Sequence, residues 1–264
     1  MTQQPTLGFY VDSALDQPGM ADVLPRVVAD VQGLLRRTAD PVPEPQSVAF
    51  AVSRGRFGGG AYKKGFGDLL AALRAEPLEQ WRVTFVAGRT DSVAGLDWHA
   101  VPGDPAAAIQ MSLVVFPPVW PADRVDAVAE DLVDLVTSWA SPLALLSAAV
   151  TYDRLLPTPA PYERWYGLNH RRTAPRSRDY LRGYYWANLL TGGHLARLGP
   201  LEPDDDISVE ELPSPSGRRV LVRSAHPISQ FDDERLAAMK KRLAPVLFPA
   251  GEPTYRGHPL RIIP

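Results

Sequence analysis

Two amphipathic stripes set the strongest limit on how this chain can fold. Over Asp22–Arg37 the apolar residues Val23, Leu24, Val27, Val28, Val31, Leu34 and Leu35 recur at helical spacing. Over Asp123–Trp139, Val125, Val128, Leu132, Leu135, Val136 and Trp139 do the same. Each stripe covers one face, so each helix needs an apolar surface to lie on. Short apolar runs of strand length flank both: Thr6–Val11 and Ser47–Arg54 around the first, Ile109–Phe116 and Leu146–Tyr152 around the second. The pattern predicts an α+β fold, with helices packed on a mixed β-sheet core.

The remaining elements follow the same order in each half. In the first half, a glycine-rich loop leads to a helix over Phe66–Ala75, then to strands at Trp81–Ala87 and Leu96–Val101. In the second, a long loop leads to a helix near Trp186–Leu198, stopped by Gly199 and Pro200, then to strands at Ile207–Leu212 and Arg219–Ser224. An extra C-terminal helix follows over Asp233–Ala244, with Asp232 as its cap and Phe231 and Leu236 as a hydrophobic staple. Asp22 is the expected cap of the first long helix, which places Pro25 in its first turn. The chain therefore reads as two similar β-α-β-α-β-β halves, 1–104 and 105–264, forming one compact unit. An offset of roughly 100 to 125 residues between equivalent elements raises an internal duplication, carried by element order and not by residue identity.

Composition removes several classes. With 28 Lys and Arg against 30 Asp and Glu, the net charge of −2 lacks the basic footprint of a nucleic-acid binder. The absence of cysteine excludes disulfides and thiolate chemistry and fits a cytoplasmic protein. No basic-then-apolar leader opens the chain, and no apolar run reaches membrane-spanning length, so no membrane association is expected. The five histidines form no HExxH or other close ligand pair, which gives no metal site and no cofactor. GxSxG and GxGxxG are absent. Asp97 and His99 alternate onto one strand face, where they could form an orienting pair, although an edge contact is the commoner outcome.

Two loops carry the chemistry that is left. Gly55–Gly67 holds Arg56, Lys63 and Lys64, a basic set that could cradle an anion; its other reading is a strand-to-helix connection packed by Phe57, Tyr62 and Phe66. Pro161–Leu190 holds seven aromatics and six arginines against Glu163 and Asp179, a formal charge of +4. Three readings fit it: a protein-binding surface, a nucleic-acid surface, and a purely structural cover with Tyr and Trp bodies on the core and arginines at the rim. Tyr185, Trp186, Leu189 and Leu190 are expected in the core, which leaves the loop at 161–185 as the candidate surface.

From Tyr162 onward the segments WYGLNHRR, RGYYWANLLTGGHLARLG and SGRRVLVRSAHPISQFDDERLAAMKKRLAPVL resemble the type VI secretion immunity proteins of the TsiV group and related polymorphic-toxin immunity proteins. The resemblance spans about the last 100 residues, and the chain departs from it at Pro200, where a second glycine is more typical. It implies a cytoplasmic, non-enzymatic protein that binds and neutralises a cognate bacterial toxin. The partner-binding residues expected on that reading are Arg164, Trp165, Tyr166, His170, Arg171 and Arg172. The alternative is an enzyme or small-ligand binder that holds an anionic substrate in a cleft between the halves, gripped by Arg56, Lys63 and Lys64.

Overall fold

The structure is a computed structural model that describes residues 6–38, 45–53, 59–60, 66–87, 91–101, 103–115, 122–153, 162–163, 166–215 and 217–249. Among the described residues ten strands form one sheet: β1 (Thr6–Ser13), β2 (Pro45–Ser53), β3 (Gly59–Gly60), β4 (Gln80–Ala87), β5 (Asp91–His99), β6 (Ile109–Val115), β7 (Leu145–Asp153), β8 (Ala187–Thr191), β9 (Ile207–Leu212) and β10 (Arg219–Ser224). Their order across the sheet is β3-β2-β4-β5-β6-β1-β7-β8-β10-β9. Every neighbouring pair is antiparallel, so the expected mixed sheet is corrected. The α+β class holds. Strand β1 lies between β6 and β7, so the strands of the two sequence halves interleave; this topology does not establish a duplication.

The two faces of the sheet differ in chemistry. Residues paired directly across antiparallel strands share a face. One face carries Phe9, Val11, Trp81, Val83, Leu96, Trp98, Met111 and Leu113, all buried. Trp81 and Trp98 are cross-strand partners and stack with ring centroids 5.9 Å apart. The helices α1 (Gln17–Thr38), α2 (Phe66–Ala75) and α3 (Val125–Trp139) serve this face. α3 packs on β1 and β7, with Trp139 edge-on to Phe9 at 5.4 Å, and α1 packs on α2 and α3. The apolar stripes read from the sequence are the buried sides of α1 and α3.

α1 begins one turn earlier than expected. Its cap is Asp16, whose Oδ1 accepts from the Gly19 amide at 2.8 Å. Met20 and Ala21 are fully buried and extend the stripe, which makes the extra turn worth forming. Pro25 therefore sits inside the helix, on its exposed side.

On the second face, Asp97 and His99 of β5, Gln110 and Ser112 of β6, Tyr10 and Asp12 of β1, Ser147 of β7 and Asn188 of β8 come together. Residues 162–163 and 166–186 cross this face, with two short helical turns, α4 (His170–Thr173) and a 3-10 turn (Ala174–Arg176). The helix expected over 186–198 is corrected: Ala187–Thr191 is strand β8, and only Gly192–Leu198 is helical (α5). A short, fully buried apolar run does not distinguish strand from helix by periodicity. Here β7 and β10 offer backbone partners on both sides, and that decides it. Tyr185, Trp186, Leu189 and Leu190 are core residues, as expected. The last helix, α6 (Asp233–Leu243), is capped by Asp232, whose Oδ1 accepts from the Arg235 amide at 3.0 Å, and the staple residues Phe231 and Leu236 are both buried.

Candidate functional site

The site is built where the crossing segment meets the polar face of the sheet. β1 alternates Tyr10 and Asp12 onto that face, and Asp12 is fully buried. Opposite it the crossing segment delivers Glu163 (1% exposed) and Arg182 (6% exposed). Arg182 donates from Nε to Glu163 Oε1 at 3.1 Å and from Nη2 to Glu163 Oε2 at 2.9 Å, a two-pronged pair. Its Nη1 reaches Asp12 Oδ1 at 3.4 Å. Thr173 donates to Glu163 Oε1 at 2.7 Å, Gln110 donates to Thr173 Oγ1 at 3.0 Å, and Ser147 donates to Asp12 Oδ2 at 3.1 Å. The three charges are thus wired to three strands and to α4.

Aromatic rings seal this network. Tyr10 stacks on Tyr185 at 5.6 Å, and the Arg182 guanidinium lies 5.6 Å from the Tyr10 ring centroid. Burial is the main cause of the altered acidities. It pushes Asp12 up to about 6, against the pull of Arg182 and helped by the Glu163 charge. Burial works against the charge on Arg182 as well, but its two carboxylates outweigh it and hold the guanidinium protonated above its ordinary range. Glu163 holds the two-pronged contact with the guanidinium, while Asp12 has one longer contact.

A second cluster lies beside the first. His99 of β5 and His170 of α4 sit with ring centroids 5.1 Å apart. His170 Nε2 is 3.4 Å from Glu79 Oε1, and Arg171 pairs with the same carboxylate oxygen. Burial pushes His99 down to about 3, and the neighbouring His170, Arg182 and Arg82 act in the same direction. Burial also lowers His170, although the Glu79 charge opposes it. Both imidazoles are neutral at pH 7 and serve as a seam between sheet and cover. Asp97 shares the face with His99 as expected, but it accepts from Arg82 Nε at 2.5 Å; the orienting Asp–His pair does not form.

The expected partner-binding residues separate into distinct environments. Tyr166 is half-buried and packs on Tyr162, centroids 4.7 Å apart. His170 and Arg171 are held against His99 and Glu79, and Arg172 is exposed. Arg164 and Trp165, and the anion-binding set Arg56, Lys63 and Lys64, lie outside the described residues. Among the described residues no three His, Cys, Asp or Glu side chains come together to hold a metal ion, and no helix is long and apolar enough to cross a membrane. The buried triad was not found from the sequence. Its one signal is an aspartate at the position in FYVDS that alternates with Tyr10, a charge in an otherwise apolar strand.

Away from the triad, a cavity of about 690 Å³ opens between the start of α1, the end of α2 and the β5–β6 connection. Leu15, Leu73 and Ile109 line its apolar part, and Asp16, Glu76 and Asp104 contribute carboxylates.

No family model matches the chain, and no curated protein matches its sequence. Among solved structures, the chain is similar to the Pseudomonas aeruginosa T6SS protein PA0821, with a TM-score of 0.56 and 14% identity over 92% of this chain and 77% of that one. At this identity the likeness is one of fold. The toxic C-terminal tip of CdiA from Pseudomonas aeruginosa in complex with immune protein overlaps 56% of this chain and 87% of that one, at 7% identity and a TM-score of 0.35, a level that carries no argument.

Proposed function

We propose that this chain is a non-enzymatic, immunity-type protein that binds a cognate bacterial toxin and neutralises it. The observation that carries the reading is the division of labour within the crossing segment. Its inward side chains Glu163, Thr173 and Arg182 are used up in pinning it to the sheet, while Arg172 and its neighbours face solvent. A segment fixed in this way presents its surface groups at little entropic cost, which is what a tight protein interface needs. The fold shared with a T6SS protein agrees with this reading at the level of architecture.

The test is protection. Secreted effectors of the host bacterium are expressed one at a time in a sensitive host, with and without the chain. Growth restored by the chain and by no unrelated protein is the expected result; unchanged killing overturns the proposal.

A second reading, small-ligand binding, draws on the 690 Å³ cavity, whose volume suits a metabolite. The lining sets Asp16, Glu76 and Asp104 against one guanidinium, Arg74, which is already paired with Asp22, so this version favours a neutral or cationic ligand. A thermal-shift screen with such ligands distinguishes it from the immunity reading.

A further inference from the structure

We infer that the contact surface is a guanidinium patch built around Tyr180, formed by Arg172, Arg176, Arg178 and Arg197, and that it takes an acidic protein surface. The inference rests on the immunity reading for the identity of the partner, but the patch stands on its own geometry. Arg176 and Arg197 both lie against the Tyr180 ring, with guanidinium carbons 4.4 and 4.3 Å from its centroid. Arg197 Nη2 also donates to the Tyr180 hydroxyl at 2.8 Å, and Arg176 lies 5.3 Å from the Phe248 ring. Arg172 precedes Arg176 by one turn, which places it on the same side of the α4 and 3-10 run. Arg178 follows two residues later and is exposed; its backbone carbonyl lies against Gly193, which precedes Arg197 by one turn of α5.

All four side chains are exposed, and none has a carboxylate partner among the described residues. Other exposed arginines include paired ones, Arg74 with Asp22, Arg171 with Glu79 and Arg218 with Glu211, and one, Arg37, with no ion pair among the described residues. What marks the patch is the clustering of unpaired arginines about one ring. Stacking on Tyr180 also orders two of its guanidiniums before any partner arrives, so less side-chain freedom is lost on binding.

The choice of a protein partner over a nucleic acid follows from extent. A polyphosphate needs a basic track along which several phosphates are neutralised. Here the patch contains Asp179, and just past the end of α5 the chain enters the exposed acidic run Glu202–Asp206. A long polyanion or a flat anionic membrane would be driven across those carboxylates. A protein can place two or three carboxylates on the arginines and keep the rest of its surface clear.

The experiment measures binding by calorimetry at 150 mM salt for the wild type, Arg172→Glu/Arg178→Glu, and Arg176→Gln/Arg197→Gln. Unchanged far-UV circular dichroism certifies the fold of each variant. The probes are the effector identified by the protection test, a glutamate-rich decapeptide, a thymidine oligonucleotide of matched charge, and phosphatidylglycerol vesicles. The expected result is tighter binding of the peptide than of the oligonucleotide or vesicles, and a loss of at least about tenfold in effector affinity in the charge-reversal variant. Equal effector affinity in wild type and both variants overturns the inference while leaving the immunity reading intact. Preference for the oligonucleotide or the vesicles overturns it in favour of that ligand. If the wild type fails to bind the effector, the immunity reading fails, and the peptide arm alone decides the patch.

Discussion

Replacing Arg182 with methionine removes the only cation in contact with two buried carboxylates among the described residues. The side chain has similar length and no charge, so packing against Tyr10 and Tyr185 is largely kept. What is lost is the two-pronged pair at 2.9 and 3.1 Å and the 3.4 Å contact with Asp12. The remaining Glu163 and Asp12 are 1% and 0% exposed, so water cannot replace the guanidinium. Removing one partner of a buried ion pair costs about 3–5 kcal/mol. For a chain of this length that corresponds to a fall in Tm of roughly 5–9 °C.

The penalty has a sign with pH. Asp12 already titrates near 6 in the folded protein, above its ordinary 3.8, so the folded state holds a proton that the unfolded state releases. Its contribution to stability is therefore present at low pH and is lost as pH rises through about 6. Without Arg182 Asp12 loses the charge that lowers its value and rises further, so the variant's deficit is largest at pH 8 and shrinks toward pH 5. Urea unfolding at the two pH values measures it. A deficit under about 1 kcal/mol, or one equal at both pH values, refutes the account of the triad.

His99 works in the opposite sense to Asp12. Its folded value near 3 lies below its ordinary 6.5, so its contribution is intact above 6.5 and is lost as pH falls toward 3; His99→Phe should flatten the acid limb of stability in urea melts between pH 6.5 and 4. Two glycines should respond oppositely to alanine in thermal melts. A Cβ at Gly193 would lie 2.1 Å from the Arg178 carbonyl oxygen, so Gly193→Ala should lower stability by about 2 kcal/mol or more. Gly33 sits inside α1 with only the mobile end of Arg37 within 4 Å, at 3.7 Å, and Gly33→Ala should raise stability by about 0.5–1 kcal/mol. Asp232→Ala should cost about 1 kcal/mol through the loss of the α6 cap, with the midpoint moved and the urea slope unchanged.

What the sequence revealed of the fold, and what it concealed, follows from the range of the interactions. The α3 stripe and the Asp232 cap are local patterns of spacing and side-chain reach, and they read directly. The start of α1 was misplaced because Asp22 and Asp16 are both plausible caps, and only the burial of Met20 and Ala21 selects the earlier one. Residues 187–191 (ANLLT) read as helix because so short a stretch fixes no period, and the deciding partners, β7 and β10, are distant in sequence. The triad was hidden for the same reason: Asp12 and Arg182 are separated by 170 positions, and nothing local marks either as half of a pair. Within the basic segment, charge counting treated the six arginines alike. The fold sorts those it describes into a structural ion (Arg182), a seam contact (Arg171) and surface groups (Arg172, Arg176, Arg178).

The measurement that bears most directly on the proposed function is a stoichiometric titration of effector activity in vitro. A fixed amount of the purified effector identified by the protection test is mixed with increasing amounts of this chain, and residual activity is followed. A binding protein that occupies its target should reduce activity linearly to zero at one chain per effector. Neutralisation by a small fraction of an equivalent, growing with time, would show that the chain acts as an enzyme; full activity at a large excess would show that it does not bind this effector at all.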